Sequence, residues 1–223
     1  MTEEEWLASD DPIAMLKALR ADWRGEDADL LRLTNRYLLA CCRAIWTLLP
    51  LEASRQGVEV AERFIEDRAT REEFADAEYL AEGAALFLDP FEWNPEKEYH
   101  ELKVLLPHFE WQPEEEDHEA KEARIRYEAY RKARIGPLVK DVEAIPAGEM
   151  SRMVRATADD ADISPRQLLS DAAYFVDTAM IYSRIDHRDE AVRKNRKFLS
   201  PGLLRELVGS SFQPKEPGYE RVE

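Results

Sequence analysis

Residues 30–49 read Leu-Leu-Arg-Leu-Thr-Asn-Arg-Tyr-Leu-Leu-Ala-Cys-Cys-Arg-Ala-Ile-Trp-Thr-Leu-Leu, and their pattern decides the fold class. Leu30, Leu33, Tyr37, Cys41, Ile45 and Leu48 recur at intervals of three and four, the spacing that stacks side chains on one face of an α-helix. Leu31, Leu38, Cys42, Trp46 and Leu49 widen that stripe over much of the circumference. A helix apolar nearly all round is a buried one, so the stretch predicts the central helix of a bundle, ended by Pro50.

The same period continues in both directions. Upstream, Thr2 with Glu5 has capping-box spacing before a short helix, and Asp11-Pro12 opens a second carrying Ile13, Leu16 and Leu19. Downstream, a helix over 53–66 turns Val58, Ala61 and Ile65 inward. Thr70 and Glu73 repeat the capping box ahead of Phe74, Ala77, Leu80, Ala81, Ala84 and Leu88. Gly136-Pro137 and Pro146 predict breaks around a short segment over 138–145, followed by a helix over 148–157. Ser164-Pro165 caps a strong helix with Leu168, Leu169, Ala172, Phe175, Val176, Ala179, Met180 and Tyr182 on its apolar face, and Ser200-Pro201 starts the last, over 203–208. The expectation is an all-α fold, an irregular bundle of roughly eight to ten helices in one domain over 1–208, with a loose polar tail over 209–223.

Composition agrees and narrows the function. Only 8 glycines occur among 223 residues, too few for a fold built on many tight turns. The net charge of −16 opposes a polyphosphate surface and removes the counterion release that drives nucleic-acid binding, so no direct nucleic-acid partner is expected. Acidic mimicry of a nucleic acid is a different matter and stays as one alternative. The acidic start Glu3-Glu4-Glu5 is unlike a secretory signal, and no apolar run approaches the ~18 residues of a membrane span. Cys41 and Cys42, the only cysteines, are adjacent on a helix and point about 100° apart, badly placed to bridge each other. A cytoplasmic protein with no membrane partner is the expectation.

The middle of the chain is its most individual part. Phe91-Glu92-Trp93-Asn94-Pro95-Glu96 recurs as Phe109-Glu110-Trp111-Gln112-Pro113-Glu114, and both copies have the form of a helix start, with proline and glutamate in the first turn. Glu98 and Glu116 stand where a hydrophobic staple would need an apolar residue, so the tryptophans either anchor helix starts to the core in another way or form a recognition surface. A charged helix then runs over 113–134, with Glu114, Glu115, Glu116 and Asp117 first and Arg131, Lys132 and Arg134 last, matching the helix macrodipole. Its apolar seam is thin: Ala120, Ala123, Tyr127 and Tyr130. Together 91–134 reads as a distinctive central insertion.

Catalytic patterns are incomplete. Glu115 to His118 has the Glu-x-x-His spacing of a dimetal helix bundle, but without the second copy such sites need. Asp160-x-Asp162-x-Ser164 with Asp171 imitates a calcium loop except at its sixth position, where Pro165 replaces the required glycine. Cys41 and Cys42 sit in the most apolar helix, where burial hides a thiol. No Gly-rich phosphate loop exists, and no metal, cofactor or catalytic residue is assigned. The basic run Arg184, His187, Arg188, Arg193, Lys194, Arg196 and Lys197 is expected to meet acidic residues of the chain itself or of a second subunit.

Three segments resemble an uncharacterised family of helical proteins found chiefly in planctomycete bacteria. They are Thr2-Glu3-Glu4-Glu5-Trp6-Leu7 with Asp11-Pro12 and Met15-Leu16; Ala40-Cys41-Cys42-Arg43-Ala44-Ile45-Trp46 with Val58-Glu59-Val60-Ala61-Glu62-Arg63; and Leu203-Leu204-Arg205-Glu206-Leu207-Val208-Gly209 followed by Phe212-Gln213-Pro214. The resemblance implies a shared helical frame around a variable centre, and it carries no activity with it. The leading expectation is a non-enzymatic protein-interaction or regulatory module that meets a protein partner or a second copy. Phe91, Trp93, Phe109, Trp111, Tyr127 and Tyr130 are its candidate partner-binding residues. An enzyme whose site is assembled between helices from scattered polar residues is the other alternative.

Overall fold

The computed structural model describes residues 1–89, 118–155, 163–182 and 196–209, with the backbone alone at 118–124 and 181–182. Among these residues there are nine α-helices and no strand: α1 (Glu3–Ala8), α2 (Pro12–Asp22), α3 (Asp27–Ala44), α4 (Glu52–Ile65), α5 (Arg71–Leu88), α6 (His118–Glu143), α7 (Ala147–Met153), α8 (Pro165–Tyr182) and α9 (Pro201–Val208). Two 3-10 turns, Trp46–Leu48 and Arg196–Phe198, complete them. The fold is all-α, as the periodicity predicts.

The helix starts follow from local chemistry. The Thr2 and Thr70 hydroxyls each accept from the backbone N–H three residues on, while Glu5 and Glu73 return the bond, so both predicted capping boxes form. Asp11 Oδ1 accepts from the Ile13 and Ala14 amides, and the Ser164 and Ser200 hydroxyls cap α8 and α9. Gly209, at φ +52°, closes α9 in a conformation that a side chain would strain.

Four expectations are corrected. The helix over residues 30–49 stops at Ala44, where the chain tightens into the first 3-10 turn. Pro50 cannot continue an α-helix and restricts Leu49, and a 3-10 turn eclipses residues three apart, which keeps Ile45 and Leu48 on one buried face. Nor is α3 the central helix. That place belongs to α8, which packs against α3, α4, α5, α6 and the first 3-10 turn. Small residues make this possible. Ala172, Ala173 and Ala179 are buried on α8, and a Cβ built on Gly57 of α4 would lie 2.7 Å from Met180 Sδ and 3.1 Å from Ala81 Cβ. At Gly57, α4, α5 and α8 approach so closely that a Cβ would force the Met180 thioether to shift.

The third correction concerns Gly136-Pro137, which does not break the chain: α6 runs through it for 26 residues, to Glu143. A proline inside a helix removes the amide that would bond the carbonyl four residues back, here that of Ala133. Ala133, Gly136 and Pro137 are all exposed, so water meets that carbonyl on the open face. Beyond Pro146, α7 ends at Met153, short of the expected 157.

The termini of the described structure pack together. α9 lies against α2 and α3, and the Arg205 guanidinium donates to the carbonyls of Trp6 and Ser9. Arg155 Nη1 donates to the Asp10 carbonyl at 2.8 Å, and Arg196 pairs with Asp11 at 3.3 Å. The described residues 2–16, 40–63 and 203–209 are thus neighbours in space.

Candidate functional site

α5 is apolar on two sides. Phe74, Ala77, Ala81, Ala85 and Leu88 are buried with the bundle core, whereas Tyr79, Leu80, Gly83 and Phe87 follow a second stripe at helical spacing. Tyr79 is 43% exposed and Leu80 37% exposed, large apolar side chains left facing solvent. α6 rises beside this stripe, and the link from α3 to α4 passes in front of it. The three enclose a groove of ≈ 720 Å³.

Its floor is Gly83, Ala84 and Phe87 of α5; Pro50 and Leu51 form one wall, and Tyr130, Ala133, Pro137 and Leu138 of α6 form the other. The Tyr130 ring meets Phe87 edge-on with centroids 6.3 Å apart, and Arg134 lies over the Tyr130 ring at 5.9 Å. Gly83 has no neighbour within 4 Å of where its Cβ would stand, so its lack of a side chain deepens the floor. Glu52, Glu82 and Arg134 supply the charges that line the groove.

The groove also holds backbone polarity. α4 starts with the apolar Leu51 at its N-cap, and no side chain there accepts from its first amides. Opposite, the Ala133 carbonyl lacks the donor that Pro137 cannot provide. An apolar trough between helices suits the apolar face of a polypeptide segment.

Of the residues singled out in the sequence, Phe91, Trp93, Phe109 and Trp111 lie outside the described residues. Tyr127 and Tyr130 are both on α6 but differ: Tyr127 is buried, 6% exposed, and Tyr130 is the one on the groove wall. Glu115, Asp160 and Asp162 are outside the described residues; Ser164 caps α8, and Asp171 accepts from Gln167 and Lys197. Cys41 and Cys42 are free and fully buried, and burial pushes both thiols up, Cys41 to about 11. They are packing residues with no thiolate to offer near neutral pH. From the basic run, Arg196 and Lys197 are described, and both pair within the chain, with Asp11 and Asp171.

Among the described residues no group of three or more His, Cys, Asp or Glu is arranged to hold a metal ion, and no helix is long and apolar enough to cross a membrane. The acidic surface is interspersed with arginines: Arg43 makes a two-pronged contact with Glu62, and Arg63 pairs with Glu73. Sequence reasoning missed the groove. Its signal was present in α5, where Tyr79, Leu80, Gly83 and Phe87 make a second stripe that one buried face does not require. The chain matches no family model, no curated protein and no solved structure.

Proposed function

We propose that this protein is a helical interaction module whose α4–α5–α6 groove receives a segment of a protein partner, an amphipathic helix bearing basic residues beside its apolar anchors. The observation that carries the reading is the groove itself, with Tyr79 and Leu80 exposed above an apolar floor. Exposed apolar surface of this kind is a mark of binding sites. The choice of occupant rests on charge: Glu52 and Glu82 outnumber Arg134 along the lining, and the chain as a whole carries −16.

The described part of the central insertion supports the same reading, because Tyr130 and Arg134 of α6 form one wall. The described segments that resemble the planctomycete helical family lie on α1–α4 and α9, which we read as a common frame. Two buried free cysteines suit a reducing cytoplasm.

The test is a display selection of peptide fragments from the host proteome against the wild type and Leu80→Glu. Leu80 is partly exposed, so this substitution blocks the groove without opening the core. Enriched peptides should combine apolar residues at three- and four-residue spacing with Lys or Arg, and lose binding to Leu80→Glu. Glu82→Lys should weaken them by about tenfold, the loss of one favourable charge and gain of a repulsive one. Equal binding to wild type and Leu80→Glu would reject the groove. Enrichment of acidic peptides, or sedimentation showing a dimer that Leu80→Glu dissolves, would reject the proposed occupant.

A further inference from the structure

Charge is unevenly spread along this acidic chain, and two of its surfaces answer each other. α1 carries Glu3, Glu4 and Glu5 and no base, whereas the chain from Leu30 to Leu51 carries Arg32, Arg36 and Arg43 and no acid. The three arginines follow intervals of four and seven, so they lie along one side of α3. Between α3, α4 and α9 a cleft of ≈ 600 Å³ opens on that side. Leu39 and Ala40 of α3, Ile65 of α4, and Leu203 and Leu207 of α9 give it an apolar lining, and Leu207 is left 37% exposed. The two acids of the lining are engaged: Arg43 holds Glu62, and Arg68 holds Glu66. Arg36 also lines the cleft, and neither it nor Arg32 one turn before has a partner among the described residues. The cleft is thus apolar, with spare positive charge beside it.

The matching shape is on the same chain. Leu7, 61% exposed, is the most exposed large apolar side chain among the described residues, and it shares a face with Glu3 and Glu4. Those two glutamates have no partner among the described residues either. α1 is pinned in place: Trp6 is buried, and Arg205 of α9 donates to the Trp6 and Ser9 carbonyls, which holds Leu7 outward. The glutamates precede Leu7 by four and three residues, as Arg36 precedes Ala40 and Leu39 by four and three. The two helices therefore match in spacing as well as in sign when laid parallel.

We propose that Leu7 of one copy enters the α3–α4–α9 cleft of a second copy, with Glu3 and Glu4 set against Arg32 and Arg36. Leu7 does not fill the cleft of its own chain, since α1 is fixed with that side chain in solvent. Knob and cleft are different surfaces, so each copy can give one and receive one. One leucine flanked by ion pairs is a small contact, which makes the association transient and salt-sensitive. It is separate from peptide binding at the α4–α5–α6 groove.

The experiment is sedimentation velocity of the full chain over a concentration series at low and high salt. The wild type should associate as concentration rises, and salt should weaken the association. Leu7→Glu and Leu207→Glu, both at exposed positions, should each stay monomeric with an unchanged thermal midpoint. Their equimolar mixture should associate, because one supplies the cleft and the other the knob. Arg32→Glu combined with Arg36→Glu should weaken association by about tenfold, and adding Glu3→Arg with Glu4→Arg should restore it. Leu80→Glu, which blocks the groove, should leave it intact. A wild type monomeric throughout, a mixture that stays monomeric, no recovery in the charge-reversed chain, or loss of association in Leu80→Glu would overturn the proposal.

Discussion

The two sides of this bundle handle apolar surface in opposite ways. On one side, α9 closes over α2 and α3, and Arg205 and Arg155 bind the carbonyls of Trp6, Ser9 and Asp10 around the α1–α2 link. On the other side, α5 and α6 diverge around Gly83 and Ala133, and Tyr79 and Leu80 stay in solvent. The difference lies in where small residues stand: at Gly57 the missing side chain is filled by Met180, while at Gly83 nothing fills it. A glycine in a helix therefore signals close packing in one place and a deliberate space in the other, and only the third dimension tells which.

The comparison can be broken most forcefully at Gly57. Gly57→Val forces two methyls into the α4–α5–α8 crossing and should cost about 3 kcal/mol, read as a lower urea midpoint. An unchanged midpoint would mean that this crossing is no tighter than the groove.

Asp177 probes the boundary between the two sides. It lies on α8, and burial, reinforced by the Glu82 and Glu78 carboxylates of α5, pushes its carboxyl up to about 7. In the unfolded chain this acid has released its proton above about 4, whereas the native chain still holds it. Stability should thus fall as pH rises from about 4 to 7, with a slope of up to ~1.4 kcal/mol per pH unit from this group. Asp177→Asn should remove that contribution to the slope and raise stability at pH 8 by roughly 2 kcal/mol, measured by urea unfolding across pH. A variant with the wild-type slope would show that Asp177 titrates normally.

A smaller effect is expected at the start of α5, which belongs to both sides. Thr70→Ala deletes one half of a capping box and should cost about 1 kcal/mol in chemical denaturation, without altering the groove. Gly83→Leu should do the reverse. It replaces an unpacked helical glycine, so stability should rise by about 0.5–1 kcal/mol, while the new side chain occupies the floor and abolishes binding of the selected peptides. Gly83→Leu and Gly57→Val having the same sign would end the distinction drawn here.

How much of this was legible in the sequence depends on the range of the interaction. The caps at Thr2, Asp11, Thr70, Ser164 and Ser200 are local, a side chain meeting an amide two or three residues on, and all five form. The end of α3 was missed because Leu48 and Leu49 satisfy the helical period; their burial in a 3-10 turn depends on α8 packing against that turn. Pro137 was read as a break because its cost inside a helix is general, and its remedy, an exposed face for the Ala133 carbonyl, is set by where α6 sits. The groove needs α5 to be read with both neighbours at once. Arg131 of α6 and Arg166 of α8, which donate to the Phe87 and Asp89 carbonyls at the end of α5, come from positions thirty-five residues apart, on helices whose approach no local pattern announces.

The closure of α9 over α2 and α3 also bears on how the protein is made. The apolar face of α3 emerges from the ribosome long before its cover, since on the order of 150 residues separate α3 from α9 and synthesis runs at about 5–20 residues per second. For about 6–24 seconds at that rate Leu38, Leu39 and Cys42 have neither α8 nor α9 to pack on. The arginine at position 205 can fasten the α1–α2 link only when that interval is over.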